Sequence, residues 1–303
     1  MEYTFRTGET PGQAVARVAS EQLELGIADL VEGSQPVALR VHEFRKRCKK
    51  LRALLRLSRK RFPGSKARAR RFGELGRELC VARDARIMAD LAAMLLGETG
   101  SGTAAGESPV ALYFREHCEA EEVAVSTLLP GIAGEVRSAL DDVATWELES
   151  VTIETLMAGF SRTLAQARKA FAAARSAGTP EAFHDLRKRC KDHWYHLCLL
   201  APMLPQRLKP RRNKFDRLCN TLGLSQDCSV LLAHITALPA DLLVDDDAAC
   251  LLRAAAAQRD SLHADILVTA EPLLDVEPGR IAARVGGQWR RLQAQKNPAQ
   301  GGV

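Results

Sequence analysis

Aromatic residues make up only 5% of the 303-residue chain, which is dominated by Ala, Leu, Arg and Glu. Such a composition favours helices and leaves little of the vocabulary of strands. A sheet-built fold is excluded on that ground, and an all-α fold is expected. Long apolar runs are missing as well. None reaches the roughly 18 residues that a membrane span requires, and the opening Met-Glu-Tyr-Thr-Phe-Arg is polar. Neither a span nor a signal peptide is expected, so the cytoplasm is the expected compartment and its eight cysteines should be reduced thiols. No CxxC pair occurs among them, which removes a thiolate zinc site. Cys48, Cys190, Cys198 and Cys219 lie in apolar helical patterns and read as small core residues.

Acidic residues are nearly absent from one long stretch. Residues 40–71 hold 15 Lys/Arg against Glu43 alone, a local charge of +14. Residues 184–217 hold ten Lys/Arg and three acids, or +7. The chain as a whole carries only +6, so the remainder is net acidic by 15 charges. Segregation on this scale focuses a local potential and points to an anionic partner. A single charge run is ordinarily a solvated helix face; two at a repeat spacing argue against that reading.

The two basic runs are copies. Residues 42–49 read His-Glu-Phe-Arg-Lys-Arg-Cys-Lys and residues 184–191 read His-Asp-Leu-Arg-Lys-Arg-Cys-Lys, identical at six of eight positions and offset by 142. The likeness continues at an offset of 143, where Phe72, Leu75, Leu79 and Asp84 match Phe215, Leu218, Leu222 and Asp227. A repeat of this length is one supersecondary unit used twice. The expected architecture is therefore all-α, two pseudo-symmetric antiparallel helical bundles packed side by side. The first half would span 1–148 and the second 149–294, with a disordered tail over 295–303.

Punctuation divides the chain further. Thr10-Pro11-Gly12-Gln13 has the form of a capping box with Pro at the first helical position. That helix should run to about Gly33, and the next from Pro36 to Phe62-Pro63-Gly64. A third is expected from Lys66 to Leu96, a flexible loop over 97–108, and a fourth helical segment from Pro109, broken at Pro130-Gly131. In the second half, helices are expected over 150–177, from Thr179-Pro180 to Pro202, and near 211–238, 245–269 and 277–294, with Pro205 and Pro210 marking a turn.

Helical spacing of i, i+3, i+4 and i+7 places His42, Arg45, Lys46, Lys49, Arg52 and Arg56 on one stripe, opposite Phe44, Cys48, Leu51 and Leu55. In the second copy His184, Arg187, Lys188 and Lys191 form the stripe, opposite Phe183, Leu186, Cys190 and Leu197. Like charges at this spacing repel, and a solvated helix would intersperse Glu. Their density implies a bound counter-charge with repeated anionic oxygens, gripped by Arg in bidentate fashion and by Lys as a point charge.

A lone His at the head of a helix is ordinarily structural. The same placement in both copies, one turn before Arg, argues for a ligand role, with the pKa raised beside a polyanion. One His per half among clustered cations makes a poor metal site, so no metal or cofactor is expected. His193 and His196 have no counterpart in the first copy and read as packing residues. Asp84 and Asp227 read as salt-bridge partners of a neighbouring basic helix.

The pattern resembles the CHAD family, the conserved histidine α-helical domain. Val41-His42-Glu43-Phe44-Arg45, Lys49-Lys50-Leu51-Arg52 and Leu55-Arg56-Leu57 are similar to its first signature. Phe183-His184-Asp185-Leu186-Arg187, Lys191 and Tyr195 are similar to its second, and Arg83-Asp84 and Gln226-Asp227 end the helices that follow. The likeness runs from Pro11 to about residue 294. It implies two helical bundles packed around a basic groove or pore, and binding of inorganic polyphosphate without catalysis, with His42, Arg45, Lys49, Arg52 and Arg56 on one wall and His184, Arg187 and Lys191 on the other. The second copy departs at Trp194, where the family commonly has a basic residue. Arg207, Lys209, Arg211, Arg212 and Lys214 are the residues that would compensate. Polyphosphate granules are one place where such a protein would meet its ligand.

CHAD domains often accompany a triphosphate-tunnel enzyme, whose Glu-x-Glu-x-Lys strand is absent here. Glu147-Leu148-Glu149-Ser150-Val151 lacks the Lys and lies in helical context, so the chain reads as the binding module alone. Two other readings remain open. Nucleic acid would use the same cations, though no aromatics interleave with the stripe for base stacking. A metal-dependent phosphohydrolase would need carboxylates clustered beside the histidines.

Overall fold

The structure is a computed structural model, and residues 3–99 and 108–296 are described. Among them every regular element is helical. The helices are α1 (Pro11–Val31), α2 (Val37–Ser58), α3 (Ser65–Glu78), α4 (Cys80–Thr99), α5 (Pro109–Ser126), α6 (Leu129–Val143), α7 (Ile153–Ala177), α8 (Pro180–Leu200), α9 (Pro205–Ile235), α10 (Ala240–Leu243), α11 (Asp246–Leu274) and α12 (Pro278–Lys296). Single 3-10 turns follow both α2, at Arg59–Arg61, and α8, at Ala201–Met203.

Local chemistry sets many of the boundaries. Thr10 and Gln13 form a reciprocal capping box with Pro11 in the first turn of α1. Thr179 caps α8 by accepting from the Ala182 N–H, again with Pro in the first turn. Gly178 ends α7 in the left-handed conformation, at φ +65°, where a side chain would be strained.

Several boundaries differ from the sequence reading. The stretch 66–96 is two helices, because Leu79 leaves helical dihedrals at φ −101° and ψ 13°. Pro210 does not mark a turn but lies inside α9. It sits on an exposed face near the helix start, where only one intrahelical bond is forfeited. The break expected at Pro130 falls at Thr127–Leu128, and Pro130 takes the first turn of α6, where no amide is needed. α11 continues past 269 to Leu274 with Pro272 inside it. Glu147–Val151 is the non-helical link between α6 and α7, and Leu148 and Val151 are buried. Of the expected loop, Gly97–Thr99 complete α4 and Ser108 is the buried residue before α5; residues 100–107 lie outside the described residues. Of the expected tail, Gln295 and Lys296 belong to α12, and 297–303 lie outside the described residues.

Helix pairing follows the same order in both halves of the sequence. α1 packs on α2 and α6, α2 on α3, and α4 on α5; downstream, α7 packs on α8 and α12, α8 on α9, and α9 on α11. The halves meet where α2 packs on α7 and α8 and where α4 packs on α9 and α11. Two apolar clusters result, and each draws on both halves. The larger joins α1–α3 and α6–α8 to the first part of α9, the end of α11 and α12. The smaller joins α4 and α5 to the end of α9 and the start of α11.

The contact between α2 and α7 depends on Gly159. A Cβ built there would overlap the Leu57 carbonyl of α2, so only glycine lets the two backbones approach this closely.

Candidate functional site

The apolar stripes fix which way the cations turn. Phe44, Cys48, Leu51 and Leu55 of α2 are 2% exposed or less, and Phe183, Leu186, Cys190 and Leu197 of α8 are likewise buried. The opposite faces of the two helices then enclose a cavity of about 230 Å3. It is lined by Lys49, Arg52 and Arg56 from α2 and by Arg187, Lys188, Arg189, Lys191, Asp192 and Tyr195 from α8. Seven cations and one acid thus share a space built from both copies of the repeat.

Two contacts hold α2 and α8 together around it. Arg56 donates to Asp192 at 2.6 Å. Beneath, His196 bonds through Nε2 to the Ala53 carbonyl at 2.8 Å, while Thr163 Oγ1 meets the Nδ1 atoms of His193 and His196 at 3.2 and 3.1 Å. Both histidines are fully buried, and burial pushes the His196 pKa down to about 4. They are packing residues, as their sequence context implied.

Six of the twelve candidate residues line the cavity: Lys49, Arg52, Arg56, Arg187, Lys188 and Lys191. Four lie on the same helices without lining it. Arg45 donates to the Gly76 carbonyl and so braces α3. Lys46 pairs with Glu43 at 2.8 Å, as Lys188 pairs with Asp185 at 3.2 Å in the second copy. His184 bonds through Nδ1 to the Gln226 side chain. His42 and His184 both have lowered pKa values, chiefly from burial, with Lys46 acting next on His42.

Arg211 and Lys214 are not brought to the cavity. Arg211 points to α11, donating to the Leu273 carbonyl at 2.7 Å and lying over the Phe215 ring, with its pKa lowered to about 10 by burial. Lys214 faces a separate hollow between α9 and α11, together with Arg217, Thr221 and Asp265.

Electrostatic strain concentrates on Lys49. Burial and the neighbouring Arg187, Arg45, Arg83 and Lys191 push its pKa down to about 7. Burial also lowers Arg52, Arg187 and Lys191. Lys191 rests on the Trp194 ring, with Nζ 3.8 Å from its centroid. The Nε atoms of Arg52 and Arg187 are buried without a hydrogen-bond partner. Asp192 has a raised pKa because its burial outweighs Arg56, Arg52 and Arg189. The cavity therefore holds cations whose charge is incompletely matched by the protein itself.

Arg189, Asp192, Tyr195 and Arg83 were not among the candidate binding residues, although Tyr195 and Arg83 stand in the family-like motifs. Arg189 lies in the duplicated octet, yet its counterpart Arg47 turns away to pair with Asp29 at 3.0 Å. Arg83 sits between the duplicated acids, with Nη1 2.8 Å from Asp84 and 3.5 Å from Asp227. This corrects the expectation that those acids pair with a basic helix: their cation is Arg83 of α4. No helix among the described residues is long and apolar enough to cross a membrane. No group of three or more His, Cys, Asp or Glu among them could hold a metal ion.

Residues 19–236 match the CHAD domain family. The chain belongs to the CHAD domain family. The match runs from within α1 into the segment after α9 and includes every residue that lines the cavity. α11 and α12 lie beyond the CHAD match, although both complete the larger apolar cluster. No curated protein is similar enough to match the chain.

Proposed function

We propose that this protein binds inorganic polyphosphate, without turning it over, in a basic groove between two pseudo-symmetric helical bundles. The observation that carries the reading is the shared cavity, where six cations predicted from the duplicated stripes meet Arg189 around one carboxylate. Membership of the CHAD family agrees with a polyphosphate-related role. Crowded cations that depress the pKa of Lys49 are costly in the free protein, and a chain of phosphates relieves that cost on binding. Arg52, Arg56, Arg187 and Arg189 suit bidentate capture of phosphate oxygens, and Lys49, Lys188 and Lys191 add point charge. His42 and His184 stand on the same two helices outside the cavity lining, and an anion bound nearby would oppose the burial that lowers their pKa values. The cytoplasm is the compartment in which this binding would take place.

RNA or another polyanion is the rival ligand. The rings nearest the cations are already engaged: Trp194 lies under Lys191, and Tyr195 makes an edge contact with Tyr3 at 5.9 Å. That leaves little ring face for base stacking and favours a ligand without bases.

The test is affinity for long-chain polyphosphate against RNA, matched in phosphate concentration, at two salt levels. Preference for polyphosphate that survives physiological salt supports the groove. Equal affinities that collapse together with salt would make the site a generic cationic surface.

A further inference from the structure

The three lysines that line the cavity are held differently. Lys188 has a carboxylate partner in Asp185, at 3.2 Å, and Lys191 rests on the Trp194 ring. Lys49 has neither; among the described residues no carboxylate forms an ion pair with it. The charges that face it are Arg45 on its own helix, Arg83 of α4, and Arg187 and Lys191 of α8, with His42 nearby. The acid that reaches it is Asp227 of α9, which is engaged by Arg83. An amine enclosed by cations, at the wall of an open cavity, has the surroundings of a nucleophile rather than of a structural ammonium group.

We infer that Lys49 is a modification site, acylated by a small acyl phosphate whose phosphoryl group docks on the arginines beside it. The inference rests on reading the cavity as an anion site. Arg52 of α2 and Arg187 of α8 line the same cavity as Lys49 and supply the phosphate-binding guanidinium groups. The Lys49 nitrogen attacks the acyl carbon, forming the amide C–N bond as the C–O bond to phosphate breaks. Inorganic phosphate departs, and the proton shed by the nitrogen passes to it or to water. No oxidant or metal is needed. The product is a neutral amide in place of a central cation, so the modification lowers the affinity of the cavity for polyanions. A bound polyphosphate chain in turn shields Lys49.

An ordinary lysine is about one part in 2,500 free base at pH 7, whereas Lys49, with its pKa near 7, is about half free base. A small phosphoryl group docked beside Lys49 returns part of this advantage by raising the amine's pKa, less than a long chain does, and proximity offsets that loss.

The experiment incubates the full-length protein with acetyl phosphate and follows each acetyl-lysine by peptide mass spectrometry. Tripolyphosphate binding is measured separately by calorimetry. Lys49 should be acetylated about tenfold or more faster than the carboxylate-paired Lys46 and Lys188. Tripolyphosphate should abolish that excess, the rate should rise through pH 7 and then level, and Lys49→Arg should delete the fast phase. If tripolyphosphate binds and Lys49 reacts no faster than Lys46, the inference fails while the anion site stands. If tripolyphosphate does not bind, the anion reading fails and takes this inference with it. Fast labelling indifferent to tripolyphosphate would refute the docked route.

Discussion

On the proposed reading, the depressed pKa of Lys49 should make polyphosphate affinity fall as pH rises. In the free protein Lys49 titrates near 7, because burial and four cationic neighbours oppose its charge. A phosphate chain in the cavity supplies counter-charge and moves the group back towards the ordinary lysine value of about 10.4. The complex then holds more protons than the free protein, so affinity is greatest where Lys49 is protonated and declines above pH 7. Full restoration gives a loss of about fivefold from pH 7 to 8 and about ninefold more from 8 to 9. The total is about 2 kcal/mol of binding free energy. The internal phosphates of a long chain are fully ionised throughout this range and add no slope. Isothermal titration at fixed salt, in buffers of different ionisation enthalpy, reads the affinity and the protons taken up. Lys49→Arg, charged at every pH in the range, should flatten the slope. A wild-type affinity constant from pH 7 to 9, or an equal slope in the arginine variant, would refute the reasoning. His42 and His184, whose pKa values are also lowered, titrate below this window and add proton uptake there.

Three further outcomes are expected. Asp192 is the one carboxylate among the cavity cations and competes with a ligand for Arg56; Asp192→Asn should tighten polyphosphate binding about tenfold by titration, since removal of a like charge from an anion site lowers repulsion. Gly159→Ala places a methyl against the Leu57 carbonyl and should cost about 3 kcal/mol, seen as a fall in Tm of roughly 8 °C by calorimetry. The triple variant His42→Ala, Arg45→Ala, Lys49→Ala should lose most polyphosphate affinity while far-UV circular dichroism stays unchanged; unaltered binding would remove the α2 stripe from the site.

Six of the nine residues that line the cavity were legible in the sequence because helical periodicity is a local rule. Once Phe44, Cys48, Leu51 and Leu55 face the core, Lys49, Arg52 and Arg56 must face away from it, and the same holds for Arg187 and Lys191 opposite Leu186 and Cys190. What a helix face meets is not local. Arg83 belongs to α4 and reaches the site only because α4 packs on α9, which brings Asp227 to within 3.5 Å of its guanidinium group. Arg211 and Lys214 looked equivalent to the stripe residues as basic positions on a helix. α9, however, packs on both α8 and α11, and its buried residues Leu208, Phe215, Leu218, Cys219 and Leu222 describe a broad apolar surface with no single opposite side. Arg211 falls towards α11 and Lys214 towards the hollow beyond it. Composition cannot distinguish these orientations.

The duplication also hid the asymmetry that gives the site its character. Asp192 stands at the repeat position of Lys50, and Trp194 at that of Arg52. An exact copy of α2 would have set two cations there and left the cavity with no internal counter-charge. Asp192 instead pairs with Arg56 across the join of the halves, and Trp194 supports Lys191 through its ring. Both exchanges lower the repulsion within the second wall while leaving Arg187, Lys188, Arg189 and Lys191 at the cavity. The departure at Trp194 therefore does not need replacement by Arg211 or Lys214. The second copy trades part of its charge for a contact that joins α8 to α2, beside the His196–Ala53 hydrogen bond and the apolar packing that already hold the two helices together. Seven like charges push the two helices apart, and the buried packing beneath the cavity carries most of the opposing force, so that Asp192 can be neutralised without the walls separating.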